Sequence, residues 1–298
     1  GAFPSHTIKI VVGSQAGSAP DVLARVLANE MGPLLGQSVI VDNKAGATGT
    51  IGAMAVASSP ADGYTLLMGT VSNVALAPSF YPVKYDPVSS FTPIGMVASV
   101  PLVLVTTPSL QATSYAQLQA TAKLMASPAQ LSYSSPGVGG PQHLAGVLLQ
   151  RQLGVALLHV PYKSGGAATT AVAAGEVQMA FAGIPAAAGL AQAKKVVPVL
   201  VTSRKRSSTM PDVATAVEAG LPDFEIDNWH ALFAPANLSR ASLEAALQKV
   251  LALQTVKDQF QKLGAEATPG TGTQLETFVA SEARRWAQVV SDNKLKVE

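Results

Sequence analysis

Two stretches of the chain combine residue types that can hold an anion without a cation. They are Gly13-Ser14-Gln15-Ala16-Gly17-Ser18-Ala19-Pro20-Asp21 and Ser134-Ser135-Pro136-Gly137-Val138-Gly139-Gly140-Pro141, each placed between a β-branched or apolar run and a helical pattern. Glycine lets the backbone approach a ligand closely. The first N–H groups of the following helix lack helical partners and sit at the positive end of its dipole. One such turn from each of two similar units would clamp a carboxylate. Taken singly, each also reads as an ordinary tight turn.

The other chemistries that these residue types suggest do not assemble. No G-x-x-x-x-G-K-[ST] occurs, and Gly46-Ala47-Thr48-Gly49-Thr50-Ile51-Gly52 spaces its glycines differently from the dinucleotide fingerprint, so its plain reading is close helix packing and a loop. No serine sits in a G-x-S-x-G elbow, and the S-x-x-K match at Ser291 to Lys294 reads as chance. The chain has no cysteine, which removes disulfides, thiolate zinc sites and thiol nucleophiles together. Its four histidines, His6, His143, His159 and His230, form no metal spacing. His143, in the first turn of the helix after Gly140, reads as a packed residue or a ligand contact; His159 reads as structural, and Trp229-His230 as core. Lys163, in the polar turn Tyr162-Lys163-Ser164-Gly165-Gly166, either draws anions or is simply solvated. Asp21, Asp42, Asp62 and Asp86 fall at turns and helix starts, where local stabilisation accounts for them. The expectation is a binding architecture with no catalytic constellation, no metal and no cofactor.

Composition narrows the class. The chain has 298 residues, of which 48% are hydrophobic and 13% charged, so it can build a core and is not a disordered polyelectrolyte. At about 150 residues per domain, this length suggests two domains or one large one. A net charge of +2 is too small to signal nucleic acid. The basic run Arg204-Lys205-Arg206 reads as a solvated loop. The apolar stretch from Ile94 to Val105 is interrupted by Pro101 and falls short of the roughly 20 residues a membrane span needs. The first residues show no basic start followed by an apolar segment, which fits a cytosolic protein or a processed secreted one.

The elements that must position the two turns follow from periodicity. Ile8 to Val12 is a strand, Asp21 to Leu35 a helix with Val22, Leu23, Val26, Leu27 and Met31 on one face, and Gly32-Pro33 weakens its end. Val39 to Val41, Thr50 to Ala57 and Tyr64 to Met68 continue as strand, helix and strand, the order of a parallel sheet with helices on both faces. A second unit repeats it: strand Leu131 to Tyr133, helix Pro141 to Leu153, strand Leu157 to Val160, helix Ala167 to Ala174, strand Val177 to Phe181 and strand Val196 to Thr202. The β-rich stretches Phe91 to Thr107 and Asn228 to Ala234 bracket that unit as two crossing strands would. Ser239 to Leu263 and Thr273 to Val290 are helical. Two α/β lobes with a cleft between them are expected, the strand-to-helix turns facing the cleft.

The motifs resemble those of the Bug family of periplasmic solute receptors, the TctC-like binding proteins of tripartite tricarboxylate transporters. The matching blocks are Ala16-Gly17-Ser18-Ala19-Pro20-Asp21-Val22-Leu23-Ala24-Arg25, Val41-Asp42-Asn43-Lys44-Ala45-Gly46-Ala47-Thr48-Gly49-Thr50-Ile51-Gly52-Ala53, and Pro60-Ala61-Asp62-Gly63-Tyr64-Thr65-Leu66-Leu67. They continue with His143-Leu144-Ala145-Gly146, His159-Val160-Pro161-Tyr162-Lys163, Val201-Thr202-Ser203-Arg204-Lys205-Arg206, Glu218-Ala219-Gly220-Leu221-Pro222 and Phe233-Ala234-Pro235, in family order over about residues 4 to 298. The resemblance implies a two-lobed type II periplasmic-binding-protein (Venus-flytrap) α/β fold with two crossing hinge strands. It places one lobe at 1–102 with 226–298, and the other at 103–225. It implies a monomeric periplasmic receptor that binds a small organic carboxylate and passes it to the membrane subunits of a tripartite transporter. The implied ligand contacts are Ser14, Gln15, Ala16, Gly17 and Ser18, with Ser135, Gly137, Val138, Gly139 and Gly140. Thr70, Ser72 and Asn73 join them, as do Ala182 and Gly183, while His143 and Lys163 flank the second turn.

The chain departs from the family pattern in both turns. Gly13-Ser14-Gln15-Ala16-Gly17-Ser18 stands where P-F-x-x-G-G is common, and Pro136-Gly137-Val138-Gly139-Gly140-Pro141-Gln142 where G-x-G-T/S is common. These changes add polar groups and leave the choice among di- and tricarboxylates, amino acids and aromatic acids open. An enzyme on the same scaffold would need His143, Lys163 or His230 as its acid–base group. A regulator of similar fold would need a helix-turn-helix ahead of the first strand.

Overall fold

The computed structural model describes residues 2–125, 131–221 and 224–295. Pro222, which closes the Glu218 block, lies outside the described residues. Contacts divide the chain into two compact units, residues 1–99 with 229–298, and residues 100–228.

The first unit is built on a six-stranded sheet ordered β11-β4-β10-β3-β1-β2. Its strands are β1 (Ile8–Val12), β2 (Val39–Asn43), β3 (Thr65–Thr70), β4 (Phe91–Ser99), β10 (Trp229–Pro235) and β11 (Glu266–Thr271). β1 pairs in parallel with β2 and β3. β10 runs antiparallel to both β3 and β4, and β11 antiparallel to β4. The expected parallel sheet is therefore mixed. β10 is buried at every position, as suits a central strand made almost wholly of apolar residues. β11, at the edge, contains Pro269 and Gly270, and a sheet edge tolerates both.

Helix α1 (Ala19–Leu35) starts at Ser18, whose side chain caps the Asp21 N–H, and ends at the left-handed Gly36. It runs through Gly32-Pro33, because its buried face (Leu23, Leu27 and Met31) holds it on the sheet. Short α2 (Thr50–Ala57) follows β2. The helical stretch expected over Ser239 to Leu263 is two helices, α7 (Ala241–Leu251) and α8 (Gln254–Lys262). The long α9 (Gly272–Asp292) buries Leu275, Val279, Glu282, Trp286 and Val289, a spacing that keeps one stripe inward.

The second unit has a five-stranded sheet ordered β7-β6-β8-β5-β9. Its strands are β5 (Leu102–Thr106), β6 (Leu131–Ser135), β7 (Leu157–Pro161), β8 (Met179–Gly183) and β9 (Val197–Val201). β6 pairs in parallel with β7 and β8, while β5 is antiparallel to β8 and β9. The single β-rich stretch expected over Phe91 to Thr107 is thus two strands of two sheets, parted at Val100-Pro101. The helices are α3 (Tyr115–Met125), α4 (Pro141–Leu153), α5 (Gly165–Ala173) and α6 (Ile184–Gln192). Among these, α3 and α6 have no counterpart in the sequence reading.

Candidate functional site

In the first unit, β1 delivers the turn Gly13 to Ser18. A Cβ on Gly13 would stand 2.8 Å from Gly49 Cα, and one on Gly52 would stand 3.0 Å from Gly13 Cα. Gly49 and Gly52 therefore form the floor on which the turn rests. Gly49 is itself left-handed at φ 85°, a region that favours glycine. Ser14 Oγ and Ser18 Oγ are 2.6 Å apart, and the Ser18 N–H donates to Gln15 O at 3.2 Å.

Asp21 locks the turn from below. Its buried carboxylate accepts the Gly17 N–H at 2.9 Å, Asn43 Nδ2 at 2.9 Å and Arg25 Nε at 3.2 Å. Asn43 Nδ2 also donates to Ser14 O at 3.0 Å, and Arg25 Nη2 donates to Asn43 Oδ1 at 3.1 Å. Burial alone would raise the carboxyl pKa. The Gly17 N–H, Asn43 and the Arg25 guanidinium outweigh it and hold Asp21 below the usual carboxylate range. Gln15, Ala16 and Gly17 are exposed. Among the described residues, the N–H groups of Ser14, Gln15 and Ala16 have no hydrogen-bond partner. The turn thus carries a fixed anion beneath it and unused donors on top.

Thr70 ends β3, and Ser72 and Asn73 lie in the helical turn that follows it. Thr70 caps this turn, accepting the Asn73 N–H at 3.3 Å, while Asn73 Oδ1 accepts the Thr70 N–H at 2.9 Å. Asn73 is buried, and its Nδ2 donates to Gly49 O at 3.4 Å. Its side chain therefore ties the Thr70 turn to the Gly49 floor. Ser72 and Thr70 remain partly exposed.

In the second unit, β6 delivers Pro136 to Gly140 onto the start of α4. Ser135 is fully buried; its hydroxyl donates to Gly137 O at 3.0 Å and accepts the Gly137 N–H at 3.1 Å. Gly137 at φ 154° and Gly139 at φ 87° occupy backbone space that favours glycine. The Gly139 N–H donates to His143 Nδ1 at 3.1 Å. Gly140 supplies no side-chain cap to α4, and Gly183 none to α6. Among the described residues, the N–H groups of Val138 and Gly140 have no partner.

His143 is buried and stacks on His159, with ring centroids 4.0 Å apart. His159 Nε2 lies 2.5 Å from Ser135 Oγ. Burial lowers the pKa of both imidazoles, and the neighbouring His143 helps push His159 down to about 4. Ala182 is buried at the end of β8, and Gly183 leaves open space where a Cβ would stand. Lys163 is exposed one residue after Tyr162, whose N–H donates to Ser135 O at 2.8 Å. Trp229 and His230 are buried, and the Trp229 indole Nε1 donates to Glu282 Oε1 at 2.9 Å.

Each unit thus gathers its own set. Ser14 to Ser18 and Thr70 to Asn73 meet around Gly13 and Gly49, and Ser135, Gly137 to Gly140 and His143 meet around His159. Asp21, Asn43, Gly49 and His159 lie outside the ligand contacts that the resemblance implies, yet each holds a turn in place. Asp21 and Arg25 stand four apart on a helix, a readable pairing; their link to Asn43 is not local. Among the described residues, no cluster of three or more His, Asp or Glu side chains could hold a metal, and no helix is long and apolar enough to cross a membrane.

Against known proteins, the family described as tripartite tricarboxylate transporter family receptor matches residues 23–295. The chain is similar to the solved periplasmic binding protein BugD, at 31% identity and a TM-score of 0.81, covering 99% of this chain and 100% of BugD. It is similar to Rpa4515 of R. palustris, solved with adipate, at 31% identity and a TM-score of 0.83, covering 99% of this chain and 100% of the other. It is also similar to MatC of Rhodopseudomonas palustris, solved with bound malate, at 30% identity and a TM-score of 0.81, covering 97% and 100%.

Proposed function

The chain belongs to the tripartite tricarboxylate transporter receptor family, a family of solute-binding receptors and not of enzymes, and from that premise we propose that it captures a small organic carboxylate in the periplasm. The observation that carries the reading is the pair of turns with unpartnered N–H groups, one in each unit: Ser14 to Ala16, and Val138 with Gly140. Uncharged donors on a rigid turn suit a carboxylate oxygen, which accepts hydrogen bonds and needs no full countercharge. That two similar proteins are solved with adipate and with malate supports a dicarboxylate as the first class to test.

In this proposal Gln15, Ala16 and Gly17 meet the ligand from the first unit, with Ser14, Ser18, Thr70 and Ser72 at its margin. Val138, Gly139 and Gly140 meet it from the second unit, with Ala182 and Gly183 beside them and Lys163 adding positive potential at the entrance. Ser135, Asn73 and His143 act chiefly by shaping the two turns, because their polar atoms already serve the backbone. A ligand held by both turns favours a closed form over an open one, with the connecting segments near residues 99–102 and 226–229 as hinges. The loaded, monomeric receptor then delivers its ligand to membrane subunits of a tripartite transporter.

The test is calorimetric titration and thermal unfolding of ligand-free protein against mono-, di- and tricarboxylates, amino acids and aromatic acids. A true ligand at about 100 times its dissociation constant stabilises the fold by about 2.7 kcal/mol. Binding of one acid and its close analogues, recovered chemically unchanged, is the expected outcome. No response to any acid in the panel would overturn the carboxylate reading.

A further inference from the structure

Ser135 offers one proton and takes part in three contacts: Gly137 O at 3.0 Å, the Gly137 N–H at 3.1 Å and His159 Nε2 at 2.5 Å. All three are satisfied together when the hydroxyl donates to Gly137 O and accepts from both Gly137 N–H and His159 Nε2–H. His159 is then the neutral Nε2–H tautomer. His143 accepts the Gly139 N–H on Nδ1, so it too carries its proton on Nε2. The two rings lie face to face, 4.0 Å apart and 13° from parallel. Each therefore grips one glycine of the Gly137-Val138-Gly139 segment, His159 through Ser135 and His143 directly.

We infer that His143 and His159 are a stacked positioning pair that sets the ligand-binding shape of the 136–140 turn and releases it when the pair takes up a proton. The inference rests on the proposed role of that turn, and its test does not depend on any ligand.

The neighbours explain the release. A proton added to His143 goes to Nδ1, the atom that accepts Gly139 N–H, so that hydrogen bond has to break. A proton added to His159 places a cation against a stacked ring. The elements packed on the pair offer no carboxylate to balance it. β6 carries only Tyr133, whose ring lies 5.1 Å from His159 and whose hydroxyl donates to His143 O at 3.0 Å. α4 adds Arg151, α3 adds Tyr115 and Lys123, and β8 and α5 carry no titratable side chain. The adjoining loops add Tyr162, Lys163 and Glu176, and Glu176 accepts the Tyr162 hydroxyl at 3.1 Å. Burial among tyrosines and cations favours the neutral form of both imidazoles and lowers both below the ordinary histidine value, His159 to about 4. The neutral pair's contribution is complete above about pH 6.5 and declines from there toward pH 4, where His159 charges in the folded chain.

Imidazole and glycine-amide NMR of the ligand-free chain, followed from pH 8 to pH 3.5, tests the inference. The expected result is that His143 titrates below the ordinary histidine value and His159 near pH 4, and that the Gly137 and Gly139 amide signals move with them. Gly69 and Gly95 of the first unit's sheet should hold still through that midpoint. In the doubly substituted His143→Gln and His159→Gln chain, which keeps a donor and an acceptor but cannot titrate, the Gly137 and Gly139 signals should be flat. Either imidazole titrating near pH 6.5, or glycine amides that ignore the titration, would overturn the inference. So would Gly69 moving together with Gly139, since that reports global unfolding. If every carboxylate fails to bind, the function proposed above falls while this titration stands or fails by itself.

Discussion

Gly13 and Gly49 come so close that a Cβ built on Gly13 would stand 2.8 Å from both the Cα and the carbonyl oxygen of Gly49. The obstacle is backbone, which cannot swing aside as a side chain can. Gly13→Ala is therefore expected to push the first turn off the 46–52 loop, at a cost of about 1–3 kcal/mol. Urea unfolding should show the loss, and calorimetry should show weaker carboxylate binding. A fully stable Gly13→Ala chain that binds normally would remove the floor role given to Gly49.

Gly146 plays the matching part in the second unit. A Cβ there would stand 2.0 Å from the Tyr133 ring, whose hydroxyl holds His143 O. Gly146→Ala should displace Tyr133, destabilise the second unit by about 1–3 kcal/mol, and disturb His143 through that bond. Pairing it with Tyr133→Phe discriminates cause: the phenylalanine removes the hydrogen bond without the clash, so it should move the Gly139 amide signal while costing less stability.

Much of this was readable in the chain. Helix α4 and helix α2 run between the boundaries expected from pattern, because Pro141 and the left-handed Gly154 mark the ends of α4, and Gly46 and the left-handed Gly49 precede α2. The two turns were legible as glycine- and serine-rich stretches between a strand and a helical pattern, Gly13 directly after β1 and Gly137 two residues after β6. What stayed hidden depended on distant residues. α3 buries only Tyr115, Leu118 and Ala122, and polar or small residues between them blur the period. β11 contains Pro269 and Gly270, which argue against a strand until its edge position is known. Asn43 reaches Ser14 and Asp21 only because β2 lies beside β1, and His159 reaches Ser135 only because β7 pairs with β6.

Glu282 gives a readout that the protein carries within itself. Its buried Oε1 accepts Trp229 Nε1 at 2.9 Å and Trp286 Nε1 at 3.4 Å, and these are the chain's 2 tryptophans. Glu282→Ala leaves two buried indole donors without this acceptor, and each unsatisfied donor costs about 1–3 kcal/mol. Glu282→Gln keeps a carbonyl acceptor and should lose less. Intrinsic fluorescence during urea unfolding would follow both variants. Equal stability of Glu282→Ala and wild type would show that the indoles find other acceptors.

Asp21 couples stability to pH at the first turn. Its folded pKa lies below the ordinary carboxylate value because the Gly17 N–H, Asn43 and Arg25 together outweigh burial. A depressed folded pKa means that the ionised group stabilises the fold fully above the unfolded value of about 4, and that this contribution disappears as pH falls through the folded value. Asp21→Asn removes the charge and the titration but keeps one oxygen to accept the Gly17 N–H. Between pH 7 and 5 the variant should be less stable than wild type. Below pH 4 the two curves should converge, since wild-type Asp21 is then being protonated. Carboxylate affinity at pH 7 supplies the functional half of the test. If the turn binds a carboxylate as proposed, the Asp21 charge opposes it while the Gly17 N–H that Asp21 accepts holds the turn, and Asp21→Ala, which loses both, should bind more weakly than Asp21→Asn. Parallel stability curves for wild type and Asp21→Asn across pH 7 to 3 would show that the Asp21 network is not what holds the turn.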